Sequence, residues 1–157
     1  MVTMILQHLH PLLTINYDGL KNMGRDLNHL SVSEGAIGKL RETYTHIPDD
    51  YLDIINYIDG VTVIYRESGW VKFAPTILSA LEVVDYTTAW YPFLSRHLKN
   101  CFFFAQEDDN SYFLGDHDGR YGVYRVETSV ADWENAEFLA PSIKALLCDG
   151  VGWAPQA

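Results

Sequence analysis

Residues 101–126 constrain the fold more than any other part of the chain. Cys101-Phe102-Phe103-Phe104-Ala105 is a continuous apolar run of strand length, the pattern of a buried central strand. Ser111-Tyr112-Phe113-Leu114 and Tyr121-Gly122-Val123-Tyr124-Arg125-Val126 follow it. The connectors, residues 106–110 and 115–120, are short and rich in turn formers, so the three segments predict an antiparallel meander.

Helical patterns surround this core. Residues 47–60 read as one complete helix. Pro48 starts it with two acids behind it at the positive end of the dipole, Tyr51, Ile54, Ile55 and Ile58 recur at spacings of three and four, and Gly60 stands where a left-handed cap is usual. Ser31-Val32-Ser33-Glu34 fits a capping box with Ser31 as N-cap, opening a helix that carries Ile37, Leu40, Arg41 and Tyr44. That helix ends before Ile47-Pro48. Residues 61–65 and 70–73 predict two strands around a Ser68-Gly69 turn. Residues 78–91 place Leu81, Val84 and Tyr91 on one helical face. Pro141 opens a last helix that Asp149-Gly150 ends. Residues 1–30 read as an N-terminal extension packed on the domain. A short amphipathic segment at Met4–Leu9 begins it, and 16–28 form loop and turn. Residues 31–157 form the domain proper. Helices, then a sheet, then a closing helix predict an α+β fold.

Charge narrows the function. The chain of 157 residues has a net charge of −10. A general nucleic-acid binder gains most of its affinity by neutralising phosphates, so direct nucleic-acid binding is not expected. An acidic chain suits basic partners or plain solubility. The acid is concentrated late: residues 101–157 hold 10 acids against 3 Lys/Arg, whereas residues 1–100 hold 11 against 8. Cys101 and Cys148 lie in apolar sequence with no Cys-x-x-Cys pair, as expected of buried free thiols in a reducing compartment. Without a signal-peptide pattern or an apolar run of spanning length, the expectation is a cytosolic protein with no membrane contact.

The acidic turns are the candidate sites: Glu107, Asp108 and Asp109 in one, Asp116 and Asp118 in the other. Asp and Asn are ordinary turn formers, so solvated turns account for them on local grounds alone. A joint catalytic pair fits poorly. A shared strand of about four residues places the turns roughly 13 Å apart, beyond the ~9.5 Å that glycosidase carboxylates tolerate. Asp108-Asp109-Asn110-Ser111 lacks the glycine and distal glutamate of a calcium loop. His8-x-His10 has no third ligand, and Cys101 opens a triple-phenylalanine strand that suits an inert thiol. No metal or cofactor is expected. Trp90 and Tyr91 are the aromatic candidates for contact anchors beside the acid.

The order of these pieces resembles the SMI1/KNR4 family, also called the SUKH superfamily. Glu34, Ile37 and Leu40 are followed by Pro48, Asp50, Tyr51, Ile55 and Gly60. Then come Phe103, Phe104, Ala105, Asp108, Asp109, Tyr112, Gly122, Val123, Tyr124 and the Phe138-Leu139-Ala140-Pro141-Ser142 segment. The resemblance covers roughly residues 31–149. This chain departs from it at Asp59, where the family often has Asn, and at Asp109-Asn110, in place of a Gly-Asp pair. The resemblance implies a curved antiparallel sheet flanked by helices and no common active site. It also implies a function class, since many bacterial members are similar to immunity proteins that neutralise polymorphic or contact-dependent toxins. The expectation is a non-catalytic domain that occludes a basic toxin domain such as a nuclease. Glu107, Asp108, Asp109, Asp116 and Asp118 would steer the encounter, with Trp90 and Tyr91 as anchors. The alternatives are a regulatory or scaffold protein with a cellular partner and, ranked last, a small-molecule-binding or hydrolytic domain.

Overall fold

A computed structural model describes residues 4–155. The chain runs β1 (Thr14–Ile15), α1 (Tyr17–Asn22), α2 (Glu34–Thr43), α3 (Asp49–Tyr57), β2 (Val61–Glu67), β3 (Trp70–Phe73), β4 (Thr76–Ile77) and α4 (Ala80–Asp85). A π-helical turn (Tyr86–Trp90) leads to α5 (Leu94–His97), β5 (Phe102–Glu107), β6 (Asn110–His117), β7 (Arg120–Glu127), β8 (Glu137–Ala140) and α6 (Ile143–Cys148). Every strand pair is antiparallel, in the order β1-β2-β4-β5-β6-β7-β8, with β3 folded back on β2. The fold is α+β with a strongly curled antiparallel sheet.

The predicted central strand is β5, and its two faces meet different layers. Phe102 lies edge-on to Tyr44 and Tyr51, each at 5.1 Å between ring centroids. Its neighbour Phe103 points the other way, to Tyr86 and Phe113. Period-two alternation sends adjacent phenylalanines to opposite layers, which is why the run is apolar throughout.

Helix α3 forms where its pattern predicts and buries Tyr51, Ile54 and Ile55. Its acids do more than suit a helix start. Asp53 accepts the Met4 and Ile5 amides at 2.9 and 2.7 Å, fastening the N-terminal segment whose Ile5 and Leu6 enter the core. Asp50 accepts the Lys144 amide at 3.0 Å, in the first turn of α6. Gly60 does not cap the helix. Ile58 closes it in extended conformation, and Gly60, with φ +92°, turns the chain into β2 against Ser79.

Other boundaries shift for local reasons. The N-cap of α2 is Ser33, which accepts the Ala36 amide at 3.1 Å. Ser31 is displaced from that role because Leu30 and Val32 pair with the backbone of Asp59 and Ile55. The capping box belongs to α4, formed by Ser79 and Glu82. The face expected on 78–91 is also wrong. Leu81 is exposed, and the buried face is Ala80, Val83, Tyr86 and Thr87, at spacings of three and four. Residues 17–22 are helical rather than loop, with Asn16 accepting the Gly19 amide. Pro141 precedes the last helix, and Ser142 is its N-cap. Among the described residues no helix is long and apolar enough to cross a membrane.

Asp59 accepts the Ala80 amide at 2.8 Å. Burial pushes its carboxyl above the ordinary range and Glu82 adds to this, against the opposing pull of that amide and Arg25. A raised carboxyl means that the folded state holds the proton more tightly than the unfolded one. Stability is therefore lost as pH rises through the window between the two values. Asp59→Asn keeps an acceptor and removes the charge. It is expected to be more stable than the natural chain at pH 7 in urea denaturation, with the difference closing below about pH 3.9, the unfolded value.

Candidate partner-binding surface

The acidic turns sit at opposite ends of β6. Glu107 pairs with Asn110 across a two-residue turn at one end, and His117 with Arg120 across another at the other. The strand between them has eight residues, so the turns lie about 25 Å apart, twice the sequence-based distance. The shorter expectation arose because the hairpins are tighter than the composition suggests. Asp118 and Gly119 both adopt positive φ, 53° and 80°, the backbone of a two-residue hairpin turn. Five carboxylates expected as one contact surface therefore form two separate groups.

Glu107 belongs to neither as a free charge. Its Oε2 accepts the Ala74 amide at 2.7 Å, and its Oε1 accepts the Tyr112 hydroxyl at 2.6 Å. Burial, and then Glu107, push the Tyr112 phenol well above its usual value. Arg125, cross-strand from Tyr112, donates to Glu137 at 2.6 Å. These bonds make Glu107 an acceptor built into the end of β5 rather than a free charge on the turn. Removing it leaves two donors short of a partner, so Glu107→Ala is expected to lose about 2 kcal/mol. Asp109→Ala, on the exposed turn beside it, should stay within about 0.5 kcal/mol in the same urea titration.

The remaining acids are exposed. Asp108 (φ 52°) and Asp109 form the first turn, and their carboxylates make no hydrogen bond to another described residue. Asp116 holds the second turn by accepting the Gly119 amide at 3.1 Å. The Asp118 side chain is 90% exposed, 3.5 Å from His117, whose ring stacks on Trp133. Among the described residues none of these four carboxylates pairs with a lysine or arginine.

Trp90 and Tyr91 are linked to β6 through Tyr86. The Tyr86 ring contacts both, at 6.1 and 5.0 Å, and its hydroxyl bonds Ser111, next to Asn110. Burial raises the Tyr86 phenol. Trp90 is 47% exposed, whereas Tyr91 is half-buried against Tyr86 and Phe93. Trp90 is therefore the free aromatic, and Tyr91 chiefly packs.

The second group has an aromatic that the sequence reading passed over. Tyr121, cross-strand from Asp116, is 52% exposed. Partial burial raises its phenol, and the charge of Asp50 adds to the rise. Its place after an Asp-Gly turn was the available signal. Tyr121 edges a groove of about 570 Å³ that runs between the loop after α2, the π turn and the segment before β5. Cys101 lines that groove as a buried thiol pushed up by burial to about 12, which leaves it unreactive. Cys148 is half-buried and raised to about 11, chiefly by burial. Among the described residues no three His, Cys, Asp or Glu gather as a metal site.

No family model matches the chain, and no curated protein matches it.

Proposed function

We propose that this chain is a non-catalytic protein-binding domain of SMI1/KNR4 type, an immunity protein that occludes a basic toxin domain such as a nuclease. The observation that carries the reading is the set Asp108, Asp109, Asp116 and Asp118. Four exposed carboxylates stand on tight turns at both ends of a buried strand, with no lysine or arginine among the described residues paired to them, in a chain of net charge −10. Exposed charge held on a two-residue turn extends an attractive field toward a cationic partner. The separation of the two turns also speaks against a shared catalytic step between them. Trp90 and Tyr121 are exposed aromatics, and Tyr121 stands cross-strand from Asp116 of the second acidic group. The order of motifs that resembles the family points to the same function class. A cytosolic location follows from the proposal, because the toxin would meet its inhibitor there.

Co-expression with the product of the adjacent gene, followed by affinity capture and a growth assay, tests the reading. A stable complex with a basic toxin domain and rescue of growth are expected. A neighbouring toxin that neither binds nor is neutralised would overturn it.

A further inference from the structure

We infer that the groove beside Tyr121 is the anchor site of this surface, and that it takes an uncharged aromatic side chain with a polar head, a tyrosine of the partner. The inference rests on the protein-binding reading for the source of that side chain and on the groove alone for its chemistry.

The floor is buried and apolar: Leu98, Phe102 and Leu114. The mouth is exposed and polar. Thr45, His46, Asn100 and Tyr121 line it, and none of their side chains makes a hydrogen bond to another described residue. Other hydroxyls of the walls are already engaged, Thr43 with the Lys39 carbonyl and Thr88 with that of Val84. The side chains with no hydrogen bond at all are therefore concentrated at the mouth.

Among the described residues no Asp, Glu, Lys or Arg lines the groove, although the chain is 20% charged. Arg96 and Lys99 share the segment with Ser95, Leu98 and Asn100, yet they lie outside the lining. Asp49 and Asp50 line an adjoining cleft that shares His46, Pro48, Leu114 and Tyr121 with the groove. A charged side chain placed on this floor would be desolvated with no counter-charge among the lining residues, which is costly. A purely apolar one would leave the mouth groups without new partners. A phenol satisfies both zones, with its ring on Phe102 and Leu114 and its hydroxyl among the mouth groups. The volume lies within the range of ligand sites and leaves room for the backbone that carries the ring.

The test uses amide NMR shifts of the whole chain titrated with N-acetyl-tyrosinamide, N-acetyl-argininamide and N-acetyl-glutamic acid amide. The tyrosine analogue is expected to shift Thr45, His46, Asn100 and Tyr121 saturably near about 1 mM, the affinity such a small ligand can reach. The charged analogues should leave these amides unmoved. Thr88→Trp, at an exposed wall position, should weaken the effect at least tenfold with an unchanged melting temperature; Thr45→Trp is the second filling variant. Equal shifts from a charged analogue, no saturable shift from the tyrosine analogue, or full binding by both filled variants would overturn the inference. A captured partner whose affinity ignores both tryptophans would also overturn it while leaving the protein-binding reading intact. Saturable shifts support the groove chemistry whether or not a partner is captured, so the two readings fail separately.

Discussion

Gly122→Ala is expected to cost about 3 kcal/mol or more, a large share of the stability of a domain this size. Gly122 lies in β7 where β8 crosses closest. A Cβ there would overlap the Ala140 carbonyl oxygen and stand 2.7 Å from Cε1 of Phe138. The first obstacle is backbone, which cannot swing aside. The pairing register of β7 and β8 also shifts between Val123 and Tyr124, so the strand is already irregular at this point. Urea denaturation followed by tryptophan fluorescence should show a lower midpoint with little change in slope. Gly119→Asn, on an open turn with positive φ, should cost less than about 1 kcal/mol in the same experiment. Equal losses at the two positions would refute the close-approach argument.

Tyr51→Ala should be comparably severe, about 4 kcal/mol, because two effects add. The ring is fully buried and packs edge-on against Phe102. Its hydroxyl donates to the Leu78 carbonyl at 2.7 Å, tying α3 to the segment before α4. Burial, with Asp59 and Glu82 adding, holds the phenol far above its usual value, so it keeps this proton across the whole working range. Tyr51→Phe separates the parts. It retains the ring and should cost about 1–2 kcal/mol, the price of a buried carbonyl left without its donor. A phenylalanine variant as damaged as the alanine one would mean that packing contributes little.

These residues show how far the sequence could be read. The meander was legible because residues 101–105 are apolar throughout and both hairpins carry turn residues. Helix α3 was legible because its stripe, proline and acids agree with one another. The N-cap of α2 was missed by two residues, since Ser31 and Ser33 are equally good caps locally. The choice was made by backbone bonds from residue 32 to α3 and from residue 30 to Asp59 just beyond it. Strands β4 and β8, of two and four residues, are too short to show a period. The tertiary roles of Asp50, Asp53 and Asp59 were hidden because an acid near a helix end already has a local explanation. The candidate site suffered from the same limit. Composition marked the acidic turns, but only the sheet register reveals that they lie about 25 Å apart, and only the hydrogen bonds reveal that Glu107 is committed internally. Tyr121 was overlooked because alternation on β7 does not tell a packed tyrosine from an exposed one.

The central claim is that the acidic turns steer a basic partner onto this surface. The most direct test is the association rate constant of the captured complex as a function of ionic strength. It would be measured for the natural chain and for a variant carrying Asp108→Asn, Asp109→Asn, Asp116→Asn and Asp118→Asn. Asparagine tolerates the positive φ at 108 and 118 and keeps the side-chain acceptor at 116, so the turns should survive the loss of charge. The account predicts that association slows about tenfold at low salt, with a flatter salt dependence and a far smaller change in dissociation. An association rate and salt slope equal to those of the natural chain would contradict it.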